Sequence, residues 1–176
     1  VFTNAVTGFM NIYLKEAEVV KPDCTVVAFD LKTPTFRHKA VATYKANRKG
    51  MPEELAQQLP YIKKIIEYMG AVVLEREGYE ADDVIGTLAQ KAEKAGYTTY
   101  MVTPDKDFAQ LVTDKIKMYR PPANGKGVEI WGIEEVKERF EIDDPIQVID
   151  YLGMMGDAVD NIPGLPGVGA KTASKY

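Results

Sequence analysis

The stretch from Tyr79 to Phe108, YEADDVIGTLAQKAEKAGYTTYMVTPDKDF, constrains the fold more than any other part of this chain. Val84, Ile85, Leu88, Ala89 and Ala92 recur at helical spacing, which predicts an amphipathic helix with Glu80, Asp82 and Asp83 at its start. Gly96 is placed to end that helix, because glycine enters the left-handed cap conformation without steric cost. Thr98 to Val102 is rich in β-branched and aromatic residues and reads as a strand running into Asp105 and Asp107. Acids in a helix's first turn complement the helix dipole, and Asp-Lys-Asp after a strand makes an ordinary solvated turn. Neither cluster alone signals a site.

The rest of the chain aims further carboxylates at the same place. A helix is expected from Val1 to Glu18, carried by Val6, Phe9, Met10, Tyr13 and Leu14, with Pro22 behind it. Thr25 to Phe29 is nearly all apolar, as a strand buried on both faces should be, and ends in Asp30. A helix is predicted over Glu53 to Met69, stopped by Gly70, and a strand over Ala71 to Leu74 just before GYEADD. Strands alternating with helices of this length imply a parallel sheet covered by helices, with ligands at the strands' carboxyl edge. Asp30, the EADD cluster and the DKD cluster all follow strands, so one parallel sheet would gather them around one crevice.

Further on, Ile116 to Tyr119 and Val128 to Trp131 read as short strands, the second at an edge, with a turn-rich loop over 121–127. Trp131 reads as a packing anchor. Ile133 to Phe140 and Pro145 to Met155 read as helices, followed by Asp157 and Asp160 at a spacing that shares one helical face. The glycines at 164, 167 and 169 suit a tight hairpin whose backbone N–H groups hold a phosphate. Their spacing does not match a phosphate-binding Walker loop.

Composition bounds the chemistry. A chain of 176 residues with 45% hydrophobic and 27% charged residues is an ordinary globular composition. One cysteine excludes an internal disulfide, and Cys24 is expected to pack as a small apolar residue. No apolar run is long enough to span a bilayer. The formal charge of −4 hides a division: six Lys or Arg residues and no acid lie between Leu31 and Pro52, against an acidic remainder. Arginine and lysine at that density neutralise phosphates, and Tyr44 or Phe36 would stack on a base.

Carboxylates crowded together need cations, and hard divalent ions take oxygen ligands of this kind. With His38 as the one histidine and no cysteine cluster, zinc is disfavoured. Two Mg²⁺ or Mn²⁺ ions would serve an in-line phosphodiester displacement, which needs no side-chain nucleophile.

Several segments carry a closer likeness: Phe29–Asp30, TFRH at Thr35–His38, YKANR at Tyr44–Arg48, GYEADD at Gly78–Asp83, TPDKD at Thr103–Asp107, and GDAVDNIPGLPGVGAKTA at Gly156–Ala173. In these the chain resembles the 5′-3′ exonuclease domains of bacterial DNA polymerase I, within the flap endonuclease superfamily. The resemblance implies an α/β, PIN-like nuclease core of three layers on a parallel sheet over residues 1–132, with a basic arch near 31–52. A helix-hairpin-helix region for DNA binding would follow over 133–176. It implies that Asp30, Glu80, Asp82 and Asp105 belong mainly to the catalytic metal group, with Asp107, Asp157 and Asp160 nearer a second metal and Asp83 between the two. Lys45 and Arg48 would act catalytically on the scissile phosphate or 5′ end. DNA contacts would come from Arg37, Tyr44, Lys45, Arg48, Gly167, Gly169 and Lys171, with K⁺ at the hairpin, and TNAVTGF at Thr3–Phe9 resembles a helix start near the DNA. The implied protein is a monomer of the bacterial cytoplasm acting on DNA with 5′ flaps or ends in replication and repair, with room for a polymerase domain behind it. The family's first strand and its terminal aspartate precede the region matching Val1, so the chain reads as a fragment that cleaves poorly. Two other readings stand beside this one: a non-catalytic flap- or junction-binding module, and a PIN-type ribonuclease. The hairpin and YKANR disfavour the second, and the later carboxylates disfavour the first.

Overall fold

The computed structural model describes residues 2–121 and 127–176. The loop expected over 121–127 therefore lies, from 122 to 126, outside the described residues. In chain order the elements are α1 (Asn4–Val20), β1 (Val26–Ala28), α2 (Phe36–Ala40), α3 (Glu53–Ala56), α4 (Leu59–Tyr68), β2 (Val72–Leu74) and α5 (Ala81–Lys94). They continue with β3 (Thr99–Val102), a 3₁₀ turn (Lys106–Leu111), β4 (Ile116–Arg120), β5 (Glu129–Trp131), α6 (Ile133–Phe140), a second 3₁₀ turn (Pro145–Gln147), α7 (Val148–Met155) and α8 (Ala170–Ala173). The residues fall into two compact units, one of Val1–Thr33 with Lys49–Val84, the other of Pro34–Arg48 with Ile85–Tyr176. The unit boundary passes through α5.

In the first unit β1 and β2 pair in parallel, Val26 opposite Val72 and Ala28 opposite Leu74. Ile62, Ile66 and Ala71 form its core, with Val6, Phe9, Tyr13, Val27 and Phe29 packed against them. The expected burial of β1 on both faces is not seen: Val26 is exposed and Val27 and Ala28 are half-buried. The long helix expected from Glu53 is broken into α3 and α4 around Gln57 and Gln58. Pro60 explains the break, because its ring removes a donor and crowds the carbonyl four residues back. Gln58, 2% exposed, uses the break to cap another helix. Its Oε1 accepts the Ala5 and Val6 amides at 2.9 and 3.3 Å, so two of the orphan donors of α1 are met by a side chain. Cys24 is exposed in the segment before β1 rather than packed.

Glu16 continues the α1 face that carries Phe9 and Tyr13, and one of its carboxylate oxygens is shut away without a hydrogen-bond partner. Burial pushes its pKa up to about 7. An acid raised in this way destabilises the fold when charged: the penalty is absent below the ordinary value of 4.5 and complete above about 7. Glu16→Gln is therefore expected to raise the melting temperature at pH 8 by the equivalent of ~1–2 kcal/mol after allowance for partial exposure. The gain should vanish by pH 4. Melting curves across that range check it, and a gain independent of pH would refute the assignment.

In the second unit β4 is central, parallel to β3 (Met101 opposite Met118) and antiparallel to β5 (Met118 opposite Trp131). Parallel pairing is thus present in both units, but in separate sheets of two and three strands. Met101, Phe108, Ile116, Met118, Trp131, Val136 and Val148 form the core here. Each such side chain contributes about 1.5–3 kcal/mol by leaving water. The helix expected from Pro145 starts as a 3₁₀ turn, with Asp144 accepting the Ile146 amide, and becomes α-helical at Val148. Among the described residues no helix is long and apolar enough to cross a membrane.

Candidate metal centre and nucleic-acid interface

The chain leaves β3 at Val102 and is held by a short series of bonds. Thr103, buried, accepts the Asp105 amide on its hydroxyl at 3.1 Å, and Asp105 accepts the Asp107 amide at 3.0 Å. Arg120, at the end of the neighbouring β4, donates to the Pro104 carbonyl at 2.9 Å. These bonds aim Asp105 and Asp107 into a cavity of about 510 Å³, lined also by Asp157, Asp160, Arg48, Lys106 and Arg139.

Asp157 and Asp160 reach that cavity from a turn and not from one helical face, which corrects the sequence expectation. Gly156 leaves α7 at φ +70°, and Asp157 pairs with Ile162 in an antiparallel bridge. Asp157 Oδ1 then accepts the Val159 and Asp160 amides at 2.7 and 3.2 Å. A short acidic side chain that satisfies its own turn in this way competes with helix continuation.

The turn also receives the basic segment. Lys45, at φ +53°, donates its amide to the Asp160 carbonyl at 2.9 Å. Asn47 donates to the Ala158 carbonyl at 3.0 Å, and Asn161 to the Thr43 carbonyl at 2.8 Å. Arg48 pairs with Asp160, and Lys45 Nζ lies 3.8 Å from the same carboxylate. Neither asparagine was singled out from sequence; Asn161 sits at φ +58°, a conformation asparagine tolerates better than most residues. Tyr44 is buried, with its ring edge-on to His38 at 5.2 Å, so it is not presented for base stacking as expected. His38 in turn caps α2 through Thr35. Phe36 is exposed, and the Arg37 guanidinium lies over its ring at 4.5 Å.

The electrostatics follow from this crowding. Burial pushes the Asp107 carboxyl up, and the charges of Asp105, Asp157 and Asp160 push the same way against the pull of Lys106. Partial burial works against the Lys106 ammonium, but its 3.0 Å bond to Asp157 and the surrounding acids hold its pKa above the ordinary value. Asp157 lies below its usual range: burial alone would raise it, and the Lys106 bond and the two turn amides outweigh that. Among the described residues no three acidic or histidine groups are gathered tightly enough to hold a metal ion as they stand. The set nevertheless fits divalent cations. All its donors are hard oxygens, and Asp107 carries the mutual repulsion that a cation relieves, while Lys106 and Arg48 now supply part of that positive charge.

In the first unit Asp30 follows β1 and accepts the Ala81 amide at 2.7 Å, at the start of α5. Asp83 reaches back to the Glu80 amide at 2.9 Å, which is one half of a capping box. Glu80 is buried and Asp82 exposed. The expected eight carboxylates are thus divided between the units, Asp30, Glu80, Asp82 and Asp83 in one and Asp105, Asp107, Asp157 and Asp160 in the other.

After α7 the chain doubles back through Gly164 to α8, with the Leu165 amide on the Met154 carbonyl at 2.8 Å. Gly167 has φ +78°, and Gly169 precedes α8 with open space where a side chain would stand. Lys171 lies exposed in α8.

Parallel-stranded units with acids at the strand ends, a lashed basic segment and a closing hairpin define a PIN-like α/β nuclease fold. The bacteriophage T5 flap endonuclease, solved as a pseudo-enzyme–product complex with DNA and metal ions, has this fold: the TM-score is 0.78 over 96% of this chain and 64% of that one, at 23% identity. The chain belongs to the 5′-3′ exonuclease family, whose N-terminal resolvase-like domain matches residues 1–141 and whose C-terminal SAM fold matches residues 143–176. It is 46% identical to DNA polymerase I of Bacillus subtilis over 99% of its own length and 20% of that protein. It is 40% identical to the 5′-3′ exonuclease of Aquifex aeolicus over 97% of its own length and 57% of that protein. The chain therefore spans a fifth of the first relative and just over half of the second.

Proposed function

We propose that this chain is the nuclease part of a longer protein and hydrolyses DNA phosphodiesters at 5′ ends or flaps, with two Mg²⁺ or Mn²⁺ ions, in replication and repair. One observation carries the reading: a single cavity of the second unit combines Asp105, Asp107, Asp157 and Asp160 with Arg48 and Lys106. Family membership and the T5 structure with DNA and metal ions support it.

In this reading Asp30, Glu80, Asp82 and Asp105 would hold one ion and Asp107, Asp157 and Asp160 the other, with Asp83 ordering the Glu80 end of the first group from its cap. The ions, when bound, supply charge stabilisation and an activated water for in-line displacement. The chain's own part is to place the strand. Lys45 and Arg48, fixed by the Asn47 and Asn161 amide bonds, present positive charge to the reacting phosphate or 5′ end. Arg37 and Lys171 add phosphate contacts, Gly167 and Gly169 let the duplex backbone approach the hairpin, and K⁺ would sit there. The proposed division is a nuclease core over 1–132 and a helical DNA-binding region over 133–176; the two family matches also divide the chain in two, but meet later, at 141 and 143. A monomer in a bacterial cytoplasm, followed by a polymerase domain, completes the proposal.

Single-turnover cleavage and DNA-binding curves at fixed salt test it. Lys45→Ala and Arg48→Ala should slow cleavage about 10²-fold with little loss of duplex affinity. Gly169→Val, whose Cβ would meet no protein atom within 4 Å, should do the reverse. Binding without cleavage at any Mg²⁺ or Mn²⁺ concentration would leave a junction-binding module instead.

A further inference from the structure

The cavity has a second wall that the acids and the basic segment do not use. Trp131, 3% exposed, closes β5, and two guanidiniums lie over its indole, Arg120 at 4.2 Å and Arg139 at 4.3 Å from the ring centroid. Glu129 accepts the indole N–H at 3.1 Å and stands 3.4 Å from Arg139 Nη2. Both arginines line the same cavity as Asp105 and Asp107.

The cations lining this cavity are not equivalent. Arg48 is paired with Asp160 and Lys106 with Asp157. Arg120 is committed to the Pro104 carbonyl. Among the described residues Arg139 makes one long polar contact, to Glu129, and its side chain remains 50% exposed. A guanidinium carries five N–H donors, so most of its binding capacity is unused. It is also already oriented: stacking on a buried indole removes the rotamer freedom that a surface arginine would lose on binding.

We infer that Arg139 is a phosphate-binding residue, and that a backbone phosphate of the bound DNA strand sits against its guanidinium at the mouth of the carboxylate cavity. Bidentate recognition of a phosphate suits the planar fork of arginine. Arg120 serves a different end, holding the Pro104 carbonyl and with it the start of the Asp105–Asp107 turn. Glu129 limits the affinity, since its carboxylate competes with the phosphate for Arg139. This assignment rests on the proposed action on DNA.

The test uses the full chain and a duplex with a 5′ flap, in Ca²⁺ to hold binding apart from cleavage. Kd is measured by anisotropy from 50 to 300 mM KCl for the unaltered protein, Arg139→Gln, Arg139→Lys and Glu129→Gln. Arg139→Gln should weaken binding about five-fold near 0.1 M salt and reduce the slope of log Kd against log salt by about 0.9, the loss of one phosphate contact. Arg139→Lys should keep the slope. Glu129→Gln should tighten binding about two-fold at low salt, because it removes a competing charge while its amide oxygen still accepts the indole N–H. A brace for Trp131 would change melting but not the slope, so an unchanged slope in Arg139→Gln overturns the inference whatever happens to affinity. If that variant loses its fold, Glu129→Gln decides: tighter binding supports the assignment, and equal or weaker binding overturns it. No binding by the unaltered protein would remove the proposed function and this assignment together, whereas salt-dependent binding with equal slopes removes this one alone.

Discussion

Gly164→Ala is expected to destabilise the second unit by about 3 kcal/mol or more, the upper end of what overpacking usually costs, because nothing near it can yield cheaply. A Cβ there would lie 2.3 Å from the carbonyl carbon and oxygen of Met155 and 2.7 Å from the Gly156 nitrogen, all backbone atoms. Gly156 faces the same crossing from the other side, 2.3 Å from the Gly164 nitrogen, and adds φ +70°. The hairpin is therefore two stretches of backbone crossing at a pair of glycines, and the Asp157–Asp160 turn adjoins that crossing. Loss of that crossing should carry the cavity with it. The control is Gly169→Ala, with φ −113° and open space around its Cβ, which should stay within about 1 kcal/mol. Denaturant unfolding of both variants is the measurement; equal stability would mean that the crossing relaxes freely.

Asp107→Asn should separate stability from metal binding. Burial and the charges of Asp105, Asp157 and Asp160 hold the Asp107 carboxyl above its ordinary pKa, so its ionised form opposes folding above that ordinary value. Removing the charge should raise the melting temperature of the metal-free protein at pH 7.5. The same change removes an oxygen ligand that a divalent ion needs. Mn²⁺ affinity by calorimetry should fall at least ten-fold, the stabilisation by added Mn²⁺ should shrink to match, and flap cleavage should slow ~10²-fold. A variant that bound Mn²⁺ as tightly as the unaltered protein would take Asp107 out of the metal site, even if cleavage were lost.

Much of this was readable in the order of residues. The α5 stripe, the strands that end before Asp30, EADD and Asp105, and the stop at Gly96 follow from local periodicity and turn chemistry, which act over a few residues. The hardness of the donor set follows from composition alone. Where local rules met a stronger local rule, the expectation failed: Pro60 split one helix, and the Asp157 side chain turned its segment out of another.

What tertiary structure alone decided concerns partners far apart in the chain. Asn47 and Asn161 find carbonyls more than a hundred residues away, and Lys106 and Arg48 find Asp157 and Asp160. No spacing rule foretells such pairs, because they depend on which backbones the fold brings together. Tyr44 is the clearest case: its motif suggested a ring offered to DNA, and packing against His38 buries it. Arg139 is the reverse, an ordinary charge at the end of a short helix until Trp131 is seen beneath it. The chemistry of this protein was written in which residues it has; how the charges are met was settled by the competition among neighbours that only folding creates.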